Sequence, residues 1–555
     1  MYNSFVPARH VAKKLAWILL LVAVPAPAQE RVRTILVFPF DNQSTRTDLR
    51  WLPEGFAELV SRRLAGGDRY VFSRDQRDQA SEQAGVTVGV PITLASKFQV
   101  AGILGADWAV VGSFSVRGDL LSARAQLFDT RSLKLSPAIE AEGKLADLDD
   151  ISTQLAWRML ATHEPGFTTG GEEDFRRRFP PLHLDAFESY IRGILSADPD
   201  SGIALLTEAD RRDPSDHHAA FALGKLYFNR KDYAAASQWL AKVARADDDY
   251  TEALFMTGAG EFFLGHLPAS ERAFQTLEGM VPLGEVANNL GVMETREGQY
   301  QEALAQFDRA RQGDPFDPDF SFNRAVCLYH LNRFDEAAKA IKETLDAEPN
   351  DAEAHLAMAQ VLGKLGDTAG RDQELHWLAG REGPLAATPD PGEDFQPLAR
   401  LKKNFDGRAF RLLSLALESE REEKLSVLPP DEQAAAHLAR GKELLAEGRS
   451  AEAERELDKV LSDNPNSEAG HLALAETLEA QGKHADAIAQ AEAALRVKDS
   501  AAAHLILANI FLSQNRLDPA REQARSALNL DPSNPAAQKL MDRIQSLAAV
   551  PGSSP

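Results

Sequence analysis

A rhythm of about 34 residues constrains this chain more than any other feature. Its clearest copy runs Asn289-Leu290-Gly291, Tyr300, Ala303, Phe307, Ala310 and Pro315. The next copy sets Asn323, Ala325, Phe334, Ala337 and Pro349 at matching offsets. Later copies carry Gly441, Gly448, Ala453, Leu457 and Pro465, then Ala508, Ala520, Ala527 and Pro532. A unit of this length cannot bury its own apolar face. It stacks on its neighbours, and the stack forms a long concave surface whose common use is binding.

Small, large and proline positions in this order resemble the tetratricopeptide repeat. The resemblance implies two antiparallel helices per unit and an all-α superhelix. Gly224, Gly258, Gly291, Gly441, Ala475 and Ala508 stand where the helices cross, and Ala236, Ala303, Ala337, Ala453, Ala487 and Ala520 repeat the small position in the second helix. Pro315, Pro349, Pro465 and Pro532 end the second helices, because proline cannot continue a helix. The units fall into a first block over 183–380 and a second over 431–533. A Pro-, Gly- and charge-rich stretch and a helical segment, Phe395 to Leu428, form a hinge over 381–430. Residues 534–555 read as a capping helix and tail.

In this family the inner face of the first helix of each unit lines the groove. The first block places Phe221, Phe228, Phe255, Phe262, Phe263, Phe322, Tyr329 and His330 there. The second block has Leu438, Leu445, Leu472, Glu476, Glu479, Leu505, Asn509 and Leu512. The aromatic set makes the first block the candidate groove for a protein or peptide, with the rings as anchors. The competing reading is that they fill the interface between helices. The carboxylate-clamp variety of the repeat needs Lys, Asn and Arg at these positions. Only Lys225, Lys442 and Asn509 occur, in three separate units, which disfavours that mode.

Residues 29–165 lack the repeat and alternate strand and helix signals. Thr34 to Phe40 is an apolar β-rich run ended by the turn-prone Asp41-Asn42-Gln43-Ser44, Leu52 to Leu64 an amphipathic helix, and Trp108 to Val116 with Leu120 to Asp129 a hairpin around Arg117-Gly118-Asp119. The order resembles the TolB-type amino-terminal domain. The likeness is carried by Leu36-Val37-Phe38-Pro39-Phe40-Asp41-Asn42, Leu52-Pro53-Glu54-Gly55-Phe56, Leu104 to Phe114, Ala125 to Asp129 and Leu148 to Ile151. It implies a small α/β module of bacterial envelope proteins that works by interaction. Helical repeats stand where that family's β-propeller would follow. Residues 166–182 read as a linker containing Arg176-Arg177-Arg178.

The first 28 residues have the three parts of a secretory signal: Arg9, Lys13 and Lys14, an apolar run from Leu15 to Val24, and an Ala-x-Ala site ending at Ala28. As a helix the apolar run spans roughly 15 Å, about half a hydrocarbon core. Cleavage after Ala28 and a periplasmic or secreted location are expected, with no integral span in the mature chain. A retained amino-terminal anchor is the alternative. The formal net charge of −22 argues against nucleic acid, which needs clustered Lys and Arg. Cys327, the only cysteine, lies in an apolar helical stretch and reads as a buried small hydrophobe.

No sequence pattern for phosphate binding, zinc hydrolysis or an activated serine occurs. His355, His437, His471 and His504 recur at one repeat position, but equivalent positions of stacked helices lie at least ~8 Å apart, too far for shared ~2 Å bonds to zinc. No catalytic residue, metal or cofactor is expected. The expectation is an exported bacterial envelope scaffold that binds protein partners through its solenoid. A ligand or glycan sensor working through the α/β domain is a second reading, and a self-associating envelope-assembly component a third.

Overall fold

The computed structural model describes residues 32–548 apart from 45, 67–68, 88–91, 165–166, 168–170 and 381–397. The signal-like segment 1–28 and much of the Pro- and Gly-rich stretch lie outside the described residues.

The amino-terminal part is an α/β domain. In chain order it contains β1 (Arg33–Val37), β2 (Asp41–Asn42), α1 (Leu52–Leu64), β3 (Arg69–Val71), α2 (Arg74–Gln83), α3 (Leu94–Leu104), β4 (Trp108–Arg117), β5 (Leu120–Asp129), β6 (Lys134–Leu135), β7 (Ile139–Lys144) and α4 (Leu148–His163). The sheet runs β3-β1-β4-β5-β6; β2 also pairs with β4, and β7 with β5. β1 is parallel to both β3 and β4, while β4 and β5 form the antiparallel hairpin. Alternation along β1 sorts two cores. Ile35 and Val37 face α1 and α4, and Leu36 and Phe38 join the layer under α2 and α3. Two details depart from the sequence reading. Asp41-Asn42, expected as a turn, pairs with Ser113-Phe114. The polar helix α2, which the apolar pattern does not reveal, is started by a Ser73–Gln76 capping box.

The described residues of the 166–182 stretch pack on the α/β domain. Helix α5 (Glu172–Arg176) buries Phe175 between Phe167 and Phe179 against α4. The basic trio beside it works locally: Arg176 pairs with Asp150 at 3.0 Å, and Arg177 with Asp174.

Helix pairs then follow: α6 (Leu184–Ile194) with α7 (Pro199–Arg212), α8 (His218–Asn229) with α9 (Tyr233–Leu240), α10 (Tyr250–Phe263) with α11 (Leu267–Met280), α12 (Gly284–Arg296) with α13 (Tyr300–Gly313), α14 (Pro318–His330) with α15 (Phe334–Ala347), and α16 (Ala352–Leu365) with α17 (Thr368–Ala379). After α18 (Gly407–Ser426) come α19 (Pro430–Ala446) with α20 (Ser450–Asp463), α21 (Glu468–Ala480) with α22 (His484–Val497), α23 (Ala501–Ser513) with α24 (Leu517–Leu530), and the terminal α25 (Pro535–Ala548). The helical reading of Phe395 to Leu428 is corrected here. Residues 398–406 carry no helix or ladder strand, the helix begins only at Gly407 behind an Asp406 cap, and Phe395 to Pro397 lie outside the described residues. No helix among the described residues is long and apolar enough to cross a membrane.

The α/β domain and the first helix pairs share one core. Phe56, Leu59 and Leu155 pack in the same cluster as Phe187, Ile191, Leu206 and Leu223. Within each pair the small positions set the spacing. A Cβ on Gly291 would stand 2.8 Å from the Phe307 ring, and one on Gly441 2.7 Å from Leu457. Gly291→Ala is therefore expected to cost about 1–3 kcal/mol, read as a lower denaturant midpoint for the first array at unchanged slope.

Candidate peptide groove

Three asparagines with no exposed surface line the concave face of the first array: Asn288 and Asn289 on α12, and Asn323 one repeat later on α14. Apolar neighbours cannot satisfy a buried amide, so each needs partners. The partners are the main chain of this protein's own residues 400 and 402. Asn323 accepts the Arg400 N–H at 2.6 Å and donates to the Arg400 carbonyl at 2.8 Å. Asn289 does the same for Lys402, at 2.8 and 3.0 Å. Asn288 donates to the Arg400 carbonyl at 3.0 Å and accepts from Asn323 at 2.7 Å. In an extended chain, residues i and i+2 present their peptide groups to the same side. Two amides one repeat apart thus stand in for a neighbouring β-strand, and an otherwise solitary strand is held on the helices.

The side chains of this strap are read separately. The Arg400 guanidinium lies 3.6 Å over the Phe322 ring and binds Asp351 at 2.7 and 3.0 Å and Glu353 at 3.1 Å. Lys402 stands 2.7 Å from both Asp317 and Asp319, with Phe320 5.3 Å away. Lys403 faces Phe263 at 5.4 Å. Leu401 bridges two apolar clusters, and Phe405 packs on Phe255 at 5.6 Å. Asp317 and Asp351 do double duty: each also caps the first helix of its repeat. Burial raises Glu353 above the usual carboxylate range. It opposes ionisation of Asp351 too, but the hydrogen bond and charge of Arg400 outweigh it and hold Asp351 low.

The predicted aromatic set divides. Phe255, Phe263 and Phe322 touch the strap. Phe262 lies beneath Arg296, Phe228 packs on Tyr233, Tyr329 on Phe334, and His330 stacks on Tyr300 at 4.3 Å, so for these four the interface-filling reading fits. Phe221 lies beside Lys225, at a cleft toward the α/β domain. The sequence reading missed the asparagines and the capping aspartates as site residues. Their signal was present: Asn289 and Asn323, like Asp317 and Asp351, are one repeat apart.

The regular histidines are pinned individually. His355, His437, His471 and His504 bond through Nδ1 to Glu374, Glu456, Gln490 and Gln523 on the second helix of their own unit, at 2.5 to 2.8 Å. Among the described residues, Glu422, His437 and Glu456 come within metal-ligand reach of one another, but the Lys459 ammonium already bridges the two carboxylates at 2.5 and 3.2 Å. Cys327 is buried, which pushes its thiol up to about 11.

The cleft, of about 370 Å³, lies between α1, α2 and the first helix pairs. Arg62 joins Glu58 at 2.9 Å and Asp216 at 3.4 Å, while its Nη2 is buried without a hydrogen-bond partner among the described residues. Asp249 opens onto the same space with no hydrogen bond from its carboxylate among the described residues, and burial pushes it up to about 6.

Tetratricopeptide-repeat models match residues 194–255 and 295–361, and, in a second form, 258–318, 438–500 and 472–535. The chain carries tetratricopeptide repeats in both blocks, and such arrays mediate protein–protein interaction. It is 28% identical to Protein FlbA of Caulobacter vibrioides over 245 residues, 42% of this chain and 38% of FlbA. It is 34% identical over 91 residues to the TPR repeat-containing thioredoxin TTL4 of Arabidopsis thaliana, 16% of this chain and 13% of that one. The chain thus spans well under half the length of either relative. Among solved structures, YrrB, described as a TPR protein with an unusual peptide-binding site, overlaps 31% of this chain and 89% of its own at 17% identity and a TM-score of 0.27. A tetratricopeptide repeat protein from Parabacteroides merdae overlaps 53% and 98% at 17% identity and a TM-score of 0.22.

Two predictions follow from this geometry. Asn323→Ala strips the Arg400 peptide of its amide partner and leaves Asn288 without a donor, a loss of about 1–3 kcal/mol. Amide exchange at residues 400–402 should speed up by about tenfold or more, with exchange in α23 unchanged. At the cleft, a carboxyl whose folded pKa is raised weakens the fold once ionised, so stability falls as pH rises from the ordinary aspartate value through about 6. Asp249→Asn should therefore melt higher than wild type near pH 7.5, by about 2 °C, and lose that advantage toward pH 4.

Proposed function

We propose that this protein is an exported envelope scaffold whose first tetratricopeptide array binds protein partners as extended segments. One observation carries the reading: Asn288, Asn289 and Asn323 already hold a strand by its main chain in the groove. Main-chain hydrogen bonds supply affinity for any extended segment, and pockets for alternate side chains supply selectivity. The signal-like first 28 residues and the TolB-like order of the α/β domain support work in the envelope. Crosslinked capture from envelope fractions, compared between wild type and Asn289→Ala with Asn323→Ala, tests the groove. Loss of partners in the variant is expected; an unchanged set would overturn the reading. Amino-terminal sequencing of the exported chain should start at Gln29.

The cleft favours a second reading, a sensor. Arg62 and Asp249 line one space, and among the described residues the Asp249 carboxylate has no hydrogen bond, an arrangement that suits a small zwitterion. Both domains line the space, so the full chain is the object to test. Free amino acids and dipeptides should raise its melting temperature, and less so after Arg62→Ala; no shift across the set would exclude this reading.

A further inference from the structure

The strap that fills the groove shows what chemistry the groove accepts. We propose that residues 398–406 are a displaceable internal ligand, and that the partner is a protein carrying an extended segment of the same pattern. That pattern has two basic residues separated by one apolar residue, then an aromatic ring three residues after the second, as in Arg400-Leu401-Lys402 with Phe405. The proposal rests on the peptide-binding reading of the first array.

Three features support it. First, the contacts that fix the strap's register are to its peptide groups, which every extended chain offers equally. A strand from another molecule can make the same contacts without any change in the helices. Second, selectivity lies in the walls. Asp317, Asp319, Asp351 and Glu353 surround Arg400 and Lys402, and the faces of Phe322 and Phe320 lie beside the same two cations. A neutral or acidic strand would leave these four clustered, partly buried carboxylates without counter-charges, so the groove selects a basic one. Third, little beyond the groove retains the strap. The helix after it, α18, has no fully buried residue: Ala409 and Phe410 pack half-buried on the same cluster as Phe405, and Leu412, Leu413 and Leu417 are exposed. Its start is tied to the α/β domain by a hydrogen bond of 3.3 Å from Arg408 to the Leu104 carbonyl. Exchange of the strap for another strand therefore takes apart no core of fully buried strap residues, and the incoming strand satisfies the asparagines and carboxylates that the strap gives up.

A tethered ligand competes at a high effective concentration, so the free peptide should bind the wild-type chain weakly and a strap-weakened chain well. The probe is a fluorescent peptide of residues 398–410, titrated by anisotropy into the full-length wild type, Arg400→Glu and Phe405→Ala. Far-ultraviolet dichroism and melting establish that each variant is folded. The two strap variants should bind it about tenfold or more tighter than wild type. Adding Asn289→Ala and Asn323→Ala to either should remove that gain, and a scrambled peptide should not bind. If the peptide binds wild type and both strap variants equally but still needs the two asparagines, the groove is a peptide receptor and the internal-ligand proposal is wrong. If folded wild type and variants all fail to bind, or bind without need of the asparagines, the receptor reading fails with it.

Discussion

A helix pair leaves one side of its apolar surface uncovered, and the architecture of this protein follows from what covers it. At the amino-terminal end the cover is the α/β domain. Its helices α1 and α4 join the core that contains Phe187, Leu206 and Leu223, so sheet and solenoid stand on one hydrophobic cluster. At the other end α25 lays Leu540 and Ile544 over Ala508, Ala520 and Ala524. Along the concave face of the first array the cover is the strap, with Leu401 and Phe405 half-buried against the rings and aliphatic side chains of α10 to α16.

The third cover differs in kind from the other two. The ends are closed by apolar surfaces fitted together, with hydrophobic burial as the driving force. The strap is held by amide–peptide hydrogen bonds and by cations between carboxylates and ring faces. Those contacts stay satisfied only while a strand with the right charges is present. Buried asparagines without a strand would be costly, and so would Asp351 and Glu353 without a cation. The groove therefore calls for an occupant, and the chain supplies one from between its own repeat blocks. The same electrostatic economy recurs where the blocks meet, in the Arg245–Glu447 pair at 3.6 Å and the Lys459 bridge from α20 to Glu422 of α18.

The repeats were legible because their constraints are local. Gly291 must be small since Phe307 crosses it, and both lie within one 34-residue unit. The strands and helices of the α/β domain were legible for a similar reason: each depends on a short apolar pattern, as in Leu52 to Leu64. Helix α2 was hidden because its pattern is polar and its evidence is a capping box. The strap was misread as helix because residues 398–406 contain good helix formers, and nothing adjacent in sequence opposes a helix there. What holds Arg400 and Lys402 out of a helix lies 77 and 113 residues upstream, at Asn323 on α14 and Asn289 on α12.

By itself, the sequence determined that the chain is built of stacked helix pairs behind an α/β domain, that the crossing positions are small, and that the aromatic inner face belongs to the first array. These follow from periodicity and side-chain size, which a linear pattern carries. Tertiary structure alone decided which rings reach the groove, that Asn289 and Asn323 read a main chain instead of only filling a repeat position, and that the groove is occupied by the chain's own residues. Those outcomes depend on peptide groups and charges brought together across long loops, and no local pattern encodes such a meeting.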